Sequence, residues 1–256
     1  MGRQKHRQIS ALAAAAWLLL GTVTGCAAQD GPAGLGGGPG RDAKGTATAV
    51  PGGGAGTERP GGAPGGAGAD AGTLPGLPGA AEARARLAAL KVAPQGSMTG
   101  YSRDKFPHWA EQGENCNTRE TVLERDGTGV RRDSQCRAVS GTWFSVYDGK
   151  TVTKAAGLDI DHMVPLANAW RSGANTWTQE KRRAFANDLT HPQLLAVSAV
   201  TNRSKGDQGP DEWQPPSRAY WCVYGRAWTS VKATYGLTVT RAEKAELAAM
   251  LDTCRS

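Results

Sequence analysis

Hydrophobic positions divide the chain into three regions of different character. Residues 9–23 form an almost unbroken apolar run. Residues 27–80 contain no aromatic residue, whereas from residue 81 onward short apolar segments alternate with turn-forming residues. All tryptophans except Trp17 lie in this last region. Apolar periodicity is the main sequence signal of packed helices and strands, so only the last region is predicted to fold.

Within residues 81–256 the periodicity predicts both helices and strands, and we expect an α+β domain. Predicted helices cover residues 81–92, 179–189 and 217–236, a short helical segment covers 199–206, and the capping box Thr240–Glu243 opens a last helix. Predicted strands cover residues 158–164 and 192–198, and hairpins cover 118–130 and 141–152. The hairpins are inferred from the turn signals Asp126-Gly127 and Asp148-Gly149.

The first apolar run has the features of an export signal. It follows a basic start and spans 15 residues, fewer than the ~20 needed to cross a membrane. Small residues lead directly into Cys26, a pattern that resembles the bacterial lipobox. We therefore predict a lipoprotein signal at residues 1–25 and a lipidated Cys26. The protein would be anchored to the outer face of the cytoplasmic membrane, or released from it. An ordinary signal peptide with an incidental Cys is the alternative.

Composition separates the signal from the folded domain. Of residues 27–80, 19 are Gly and 7 are Pro, and such a segment buries too little apolar surface to offset its chain entropy. We predict a flexible linker over residues 26–80, with a wall-spanning or glycosylated stalk as the alternative. The folded domain is then residues 81–256.

The cysteine count agrees with export. Of five cysteines, Cys26 is assigned to the lipid, and four remain for two disulfides. Four cysteines allow three pairings, and we favour the sequence-local one, Cys116–Cys136 with Cys222–Cys254. No cysteine and histidine spacing indicates a zinc site. Loss of the signal lowers the formal net charge from +7 to +4, a mild excess that is compatible with a polyanionic partner.

An acid and an imidazole stand side by side at the end of a predicted strand, at Asp161-His162. Alternation would place neighbours on opposite faces, but Pro165 predicts that the strand ends just after them. Both side chains can then turn toward one edge. About 40 residues on, directly after the next predicted strand, come Asn202 and Lys205.

The pattern Asp161-His162-x-x-Pro165, an insert, an apolar strand and then residues 202–206 (Asn-Arg-Ser-Lys-Gly) resembles the HNH nucleases. It is most similar to a secreted actinobacterial branch related to the C-terminal domain of GmrSD-type restriction enzymes. The stretches 116–123, 141–149, 185–197 and 211–216 also look like that branch. The resemblance covers roughly residues 97–254. It implies a ββα-metal core with extra N-terminal hairpins and two C-terminal helices, stapled by disulfides.

The resemblance also implies a role for each residue of the motif. His162 would be the general base, and Asp161 and Asn202 would bind a divalent metal, with Mg²⁺ as the default and Mn²⁺ or Ca²⁺ as alternatives. Lys205 and Arg203 would contact phosphates. The middle Asn that orients the histidine in the family has no obvious counterpart, and Asn187, Gln193 or Ser198 could substitute.

The expected activity is hydrolysis of DNA phosphodiester bonds with little sequence preference, by a monomer. One alternative is a non-catalytic surface module that binds nucleic acid or another polyanion. Another is a disulfide-stapled structural domain in which the motif is only a relic of the fold. For Asp161-His162 taken alone, the alternative is a structural ion pair that caps a strand.

Overall fold

The computed structural model describes residues 74–255. The predicted signal, the lipidation site Cys26 and residues 27–73 of the predicted linker lie outside the described residues. Within the described part, no helix is long and apolar enough to span a membrane.

Helices and short sheets alternate along the chain, which confirms the predicted α+β class. The helices are α1 (Ala80–Ala89), α2 (Thr118–Asp126), α3 (Leu166–Arg171), α4 (Gln179–Ala186), α5 (Ala199–Lys205), α6 (Trp221–Tyr235) and α7 (Arg241–Asp252). The strands are β1 (Glu111–Gly113), β2 (Cys116–Asn117), β3 (Gly127–Arg132), β4 (Ala138–Ser145), β5 (Lys150–Val152), β6 (Leu158–His162) and β7 (Leu194–Ser198). In residues 74–255 these strands form three antiparallel sheets, ordered β1-β2, β3-β4-β5 and β6-β7.

The sheet β6-β7 and helix α5 form a strand–strand–helix unit. The register pairs Leu158 with Ser198 and His162 with Leu194, and all five residues of β7 are buried. Helix α5 begins directly after β7, where the Ser198 hydroxyl accepts a hydrogen bond from the Thr201 N–H. Strand β6 ends at His162, and Pro165 then precedes α3. Both strands, the short helix and the strand end before Pro165 are confirmed.

One predicted element is wrong. Residues 118–126 were expected to begin a hairpin, but they form helix α2. The Asn117 side chain accepts a hydrogen bond from the Glu120 N–H and so starts the helix. Val122 and Leu123, which belong to the predicted hairpin 118–130, lie on the buried face of this helix. A run of two apolar residues is too short to distinguish the helical period from the strand period.

Helix α6 ends and helix α7 begins where predicted, and α6 begins at Trp221, four residues after the predicted start. Gly236 ends α6 with φ of 67°, a left-handed conformation that glycine adopts without steric cost. The Thr240–Glu243 capping box opens α7 as expected. At Gly225 a Cβ atom would lie only 3.0 Å from the Met250 Cβ atom, so glycine permits the close approach of α6 to α7.

Both disulfides have the predicted sequence-local pairing. Cys116 pairs with Cys136, and Cys222 pairs with Cys254, with Cα–Cα distances of 5.0 and 4.9 Å. The first bond closes the segment that contains α2 and β3, and the second joins the start of α6 to the end of α7. The hairpin between β4 and β5 is confirmed, with Phe144 opposite Thr151.

Candidate active site

A cleft of about 300 Å³ opens where β6 ends and α5 runs beside it. It is lined by Asp161 and His162 from β6, by Asn202 and Arg203 from α5, by the start of α3, and by Tyr101 and Arg103 from the segment before β1. The structure therefore brings four of the predicted site residues together. Lys205, the fifth, does not line the cleft.

His162 is held by a backbone carbonyl. Its side chain is buried, with 5% of the residue exposed, and its Nε2 atom lies 3.0 Å from the Ala186 oxygen. Because a carbonyl only accepts hydrogen bonds, Nε2 carries the proton and Nδ1 keeps its lone pair. Burial lowers the pKa of His162 to about 3, the bond to Ala186 opposes this shift, and the charge of Arg103 adds to it. The imidazole is therefore neutral near pH 7.

None of the three residues named as substitutes for the middle Asn bonds to the His162 ring. Gln193 pairs with the backbone of Val164 through both ends of its amide, at 3.1 and 3.0 Å. Ser198 caps α5. Asn187 directly follows Ala186, and its side chain binds the backbone at Pro107 and Ala110.

Asp161 belongs to a buried ion pair. The residue is 4% exposed, and its Oδ2 atom accepts hydrogen bonds from the Tyr147 hydroxyl and from Lys205 Nζ, both at 2.6 Å. Every hydrogen bond that Asp161 forms within residues 74–255 through its side chain falls on Oδ2. Burial raises the pKa of Asp161, but Lys205 and Tyr147 oppose this shift and favour the carboxylate.

Lys205 lies beneath the cleft. It is 0% exposed, and Nζ also donates to the carbonyl oxygens of His162 and Met163, both at 2.9 Å. An ammonium group has three N–H donors, so all of them are used. Direct contact with a phosphate would require this side chain to leave its three acceptors.

Asn202 and Arg203 share one acceptor. Asn202 Nδ2 donates to Asp159 Oδ2 at 3.2 Å, and Arg203 Nε lies 3.4 Å from the same oxygen. This arrangement fixes the Asn202 amide through its nitrogen and leaves the amide oxygen as the free end. Asp159 thus anchors α5 to β6.

The donor set suits a hard divalent cation. The cleft combines a carboxylate from Asp161 with an amide oxygen from Asn202, the ligand types that Mg²⁺ and Ca²⁺ prefer. No group of three or more His, Cys, Asp or Glu side chains able to hold a metal occurs in residues 74–255. A cation bound by Asp161 and Asn202 would have further coordination positions for water or substrate.

Sequence reasoning missed Arg103, Tyr147 and Trp109. Arg103 is exposed in the cleft, and no carboxylate of the described residues pairs with it, in contrast to Arg203. The Trp109 ring stacks on His162, with centroids 5.8 Å apart and planes at 29°. Arg103 and Trp109 lie in an irregular segment that has no hydrophobic periodicity. Only the residue types themselves, one basic and one aromatic, could have drawn attention to these positions.

Comparison with known proteins identifies the family. The family described as GmrSD restriction endonucleases, C-terminal domain, matches residues 118–250. An "Uncharacterized secreted protein" of Arthroderma benhamiae is 57% identical over 182 residues, which cover 71% of this chain and 89% of that protein. No solved structure matches the chain. The predicted actinobacterial branch stays a prediction. The chain belongs to the family of GmrSD restriction endonuclease C-terminal domains.

Proposed function

We propose that this protein is an exported, metal-dependent HNH endonuclease that hydrolyses phosphodiester bonds of DNA with little sequence preference. One observation carries the proposal: a neutral His162, held by Ala186, lines the same cleft as Asp161 and Asn202 on a strand–strand–helix unit. The family's restriction endonucleases and the secreted relative support nuclease activity and export.

His162 is the proposed general base. With Nε2 bonded to the Ala186 oxygen, Nδ1 is the atom that takes a proton from the attacking water. The buried setting favours the neutral ring, which is the form able to accept that proton. The orientation of Nδ1 then sets the line along which the water approaches the phosphorus atom.

Asp161 and Asn202 are the proposed metal ligands, and Lys205 and Tyr147 position Asp161 by bonding to Oδ2. A bound divalent cation would stabilise the charge that develops on the transition state and on the leaving oxygen. Mg²⁺ is the default, and Mn²⁺ or Ca²⁺ suits the same oxygen ligands.

Phosphate binding is assigned differently from the sequence expectation. Arg103 and Arg203 line the cleft and are exposed, so their guanidinium groups can reach a phosphate and pair with it. Lys205 supports the site indirectly, by its hydrogen bonds to Asp161 and to the backbone oxygen of His162. We retain the monomer as the expected state.

Cleavage of supercoiled plasmid tests the activity. Wild type should cut DNA with Mg²⁺, Mn²⁺ or Ca²⁺ and should stop in EDTA. His162→Gln should lower the rate by about 10²- to 10⁴-fold. His191→Gln is the matched control, because His191 bonds to Asp188 and does not line the cleft; its rate should match wild type.

DNA left intact in all three metals, or equal rates for wild type and His162→Gln, would overturn the proposed chemistry. Binding of DNA without cleavage would instead establish the non-catalytic binding module. Cleavage of a matching RNA alone would change the substrate class.

Membrane anchoring has a separate test. In a bacterial host that processes lipoproteins, the full chain should incorporate a labelled palmitate analogue, and Cys26→Ala should not. Equal labelling of both would contradict lipidation at Cys26, and no labelling of wild type would support an ordinary signal peptide.

A further inference from the structure

Trp109 has an unusual backbone conformation. Its φ is 59°, in the left-handed region that large aromatic side chains rarely adopt. The surrounding chain holds it there by two hydrogen bonds to one side chain. The Ala110 N–H donates to Asn187 Oδ1 at 2.8 Å, and Asn187 Nδ2 donates to the Pro107 oxygen at 2.7 Å.

The Asn187 amide is fully used. Oδ1 also accepts from the Thr118 hydroxyl at 2.8 Å, and Nδ2 also donates to the Arg183 oxygen at 2.8 Å. The Thr118 N–H in turn donates to the Ala110 oxygen at 2.9 Å. Three segments, before β1, at the start of α2 and at the end of α4, are thus fixed to one side chain.

This conformation places the Trp109 ring on His162. The two rings stack at 5.8 Å, while Ala186, the residue before Asn187, accepts the hydrogen bond from Nε2 of the same imidazole. One hydrogen bond at Nε2 leaves the ring free to tilt about that bond. An indole packed on its face removes this freedom.

We propose that Trp109 is a positioning residue for His162, and that Asn187 holds it in place. The inference rests on the proposed function, in which Nδ1 of His162 activates water. Two consecutive residues at the end of α4 then position the imidazole. The Ala186 carbonyl binds its edge, and Asn187 holds the indole that packs on its face. Together they aim Nδ1 into the cleft.

A double-mutant cycle in DNA cleavage tests this. Trp109→Ala should lower kcat by about 10- to 100-fold, because a small misplacement of a catalytic group carries such a cost, with KM within about twofold of wild type. Trp109→Phe, which keeps a ring on the imidazole, should recover most of the rate. In the His162→Gln background, Trp109→Ala should have no further effect, because residues that act as one unit are not additive.

Trp221→Ala is the matched control, since Trp221 is half-buried and does not line the cleft; its kcat should equal that of wild type. Equal losses from Trp109→Ala in both backgrounds would overturn the proposal. A rise in KM alone would also overturn it and would make Trp109 a contact for the substrate.

A spectroscopic measurement separates this proposal from the proposed activity. Long-range ¹H–¹⁵N spectra at pH 7.5 should show His162 of wild type as a single Nε2–H tautomer. Trp109→Ala and Asn187→Ala, checked for folding by circular dichroism, should give a mixed or broadened signal, whereas Trp109→Phe should not. An unchanged signal in both alanine variants contradicts the positioning role even if DNA is cut. A changed signal supports it even if no substrate is cut.

Discussion

Within residues 74–255, two lysines are completely shielded from solvent, and each pairs with one carboxylate. Lys205 donates to Asp161 at 2.6 Å and to two backbone carbonyls at the end of β6. Lys232 lies 3.0 Å from Glu243 and donates to Asn168, Ser172 and the Thr238 oxygen at 2.7, 2.7 and 3.0 Å. Both ammonium groups lie over the Trp228 ring, at 5.6 and 5.8 Å.

The partners of these lysines differ in what else they do. Asp161 and His162, which accept from Lys205, line the cleft. Glu243, which pairs with Lys232, completes the capping box of α7 and accepts from Trp228 Nε1 at 2.6 Å. Burial lowers the pKa of both lysines, and in both the neighbouring carboxylate opposes this. A buried lysine–carboxylate pair therefore supports the candidate site in one region and joins helices α6 and α7 in the other.

The largest expected effect comes from Lys205→Met, which removes the ammonium group and keeps an apolar chain of similar length. It leaves Asp161 buried without its cation, and breaking such a pair costs about 3–5 kcal/mol. Asp161 also loses one of the two bonds that orient it, so DNA cleavage should fall by about 10²-fold or more. Urea unfolding and cleavage rates of the folded fraction measure the two effects. Wild-type activity in a folded Lys205→Met variant would contradict the positioning role of Lys205.

Lys232→Met should reproduce the loss of stability without the loss of activity. The same cost of about 3–5 kcal/mol applies, because Glu243 is left buried and unpaired. Replacing both partners, as Lys232→Met with Glu243→Gln, should recover part of this free energy. The specific activity of folded Lys232→Met should equal that of wild type below its unfolding temperature. A large loss of activity in folded Lys232→Met would show that the Lys232 region and the cleft are coupled. Trp228, which lies beneath both ammonium groups, would then be the side chain to test for that coupling.

Sequence patterns predicted the elements better than the contacts that define the site. Strand β6 alternates Leu158 and Ile160 with polar residues, β7 begins with four apolar residues, and α7 has a capping box, so these elements were predictable. Helix α2 was not, because its apolar run is short. The burial of Lys205 and the bond to His162 depend on carbonyl oxygens of residues 162, 163 and 186. Every residue carries a carbonyl oxygen, so no sequence motif shows which of these oxygens will bind Lys205 or His162.

Removal of the Cys222–Cys254 bond tests whether the region of α6 and α7 affects the cleft. The bond closes a loop with a sequence separation of 32, and its loss should cost roughly 3 kcal/mol. The double variant Cys222→Ser, Cys254→Ser should unfold at lower urea concentration and cut DNA at the wild-type rate. Reduced wild type should behave like this variant, apart from the effect of the Cys116–Cys136 bond. A change in KM or kcat would mean that the helical region also positions the cleft.

Asp148→Asn has the smallest expected effect on stability, and it acts in the region of the candidate site. Asp148 lies at the turn between β4 and β5, and its Oδ2 atom accepts from the hydroxyls of Ser198 and Thr201, both at 2.7 Å, so it secures the start of α5. Burial alone would raise the pKa of Asp148, but hydrogen bonds from Ser145, Ser198 and Thr201 outweigh burial and lower the pKa to about 2.

Because the pKa is lower in the folded state, the unfolded chain binds the proton more tightly. The stabilisation by Asp148 is therefore complete above about pH 4 and is lost as the pH falls toward 2, with a total of roughly 2 kcal/mol. The difference in unfolding free energy between wild type and Asp148→Asn should be constant from pH 7 to pH 5 and should shrink to roughly half at pH 3. Lys150 Nζ lies 3.5 Å from the same carboxylate. A difference that does not depend on pH would show that the carboxylate charge is not what holds α5, and the hydroxyl bonds alone would then account for the support that this turn gives to Asn202.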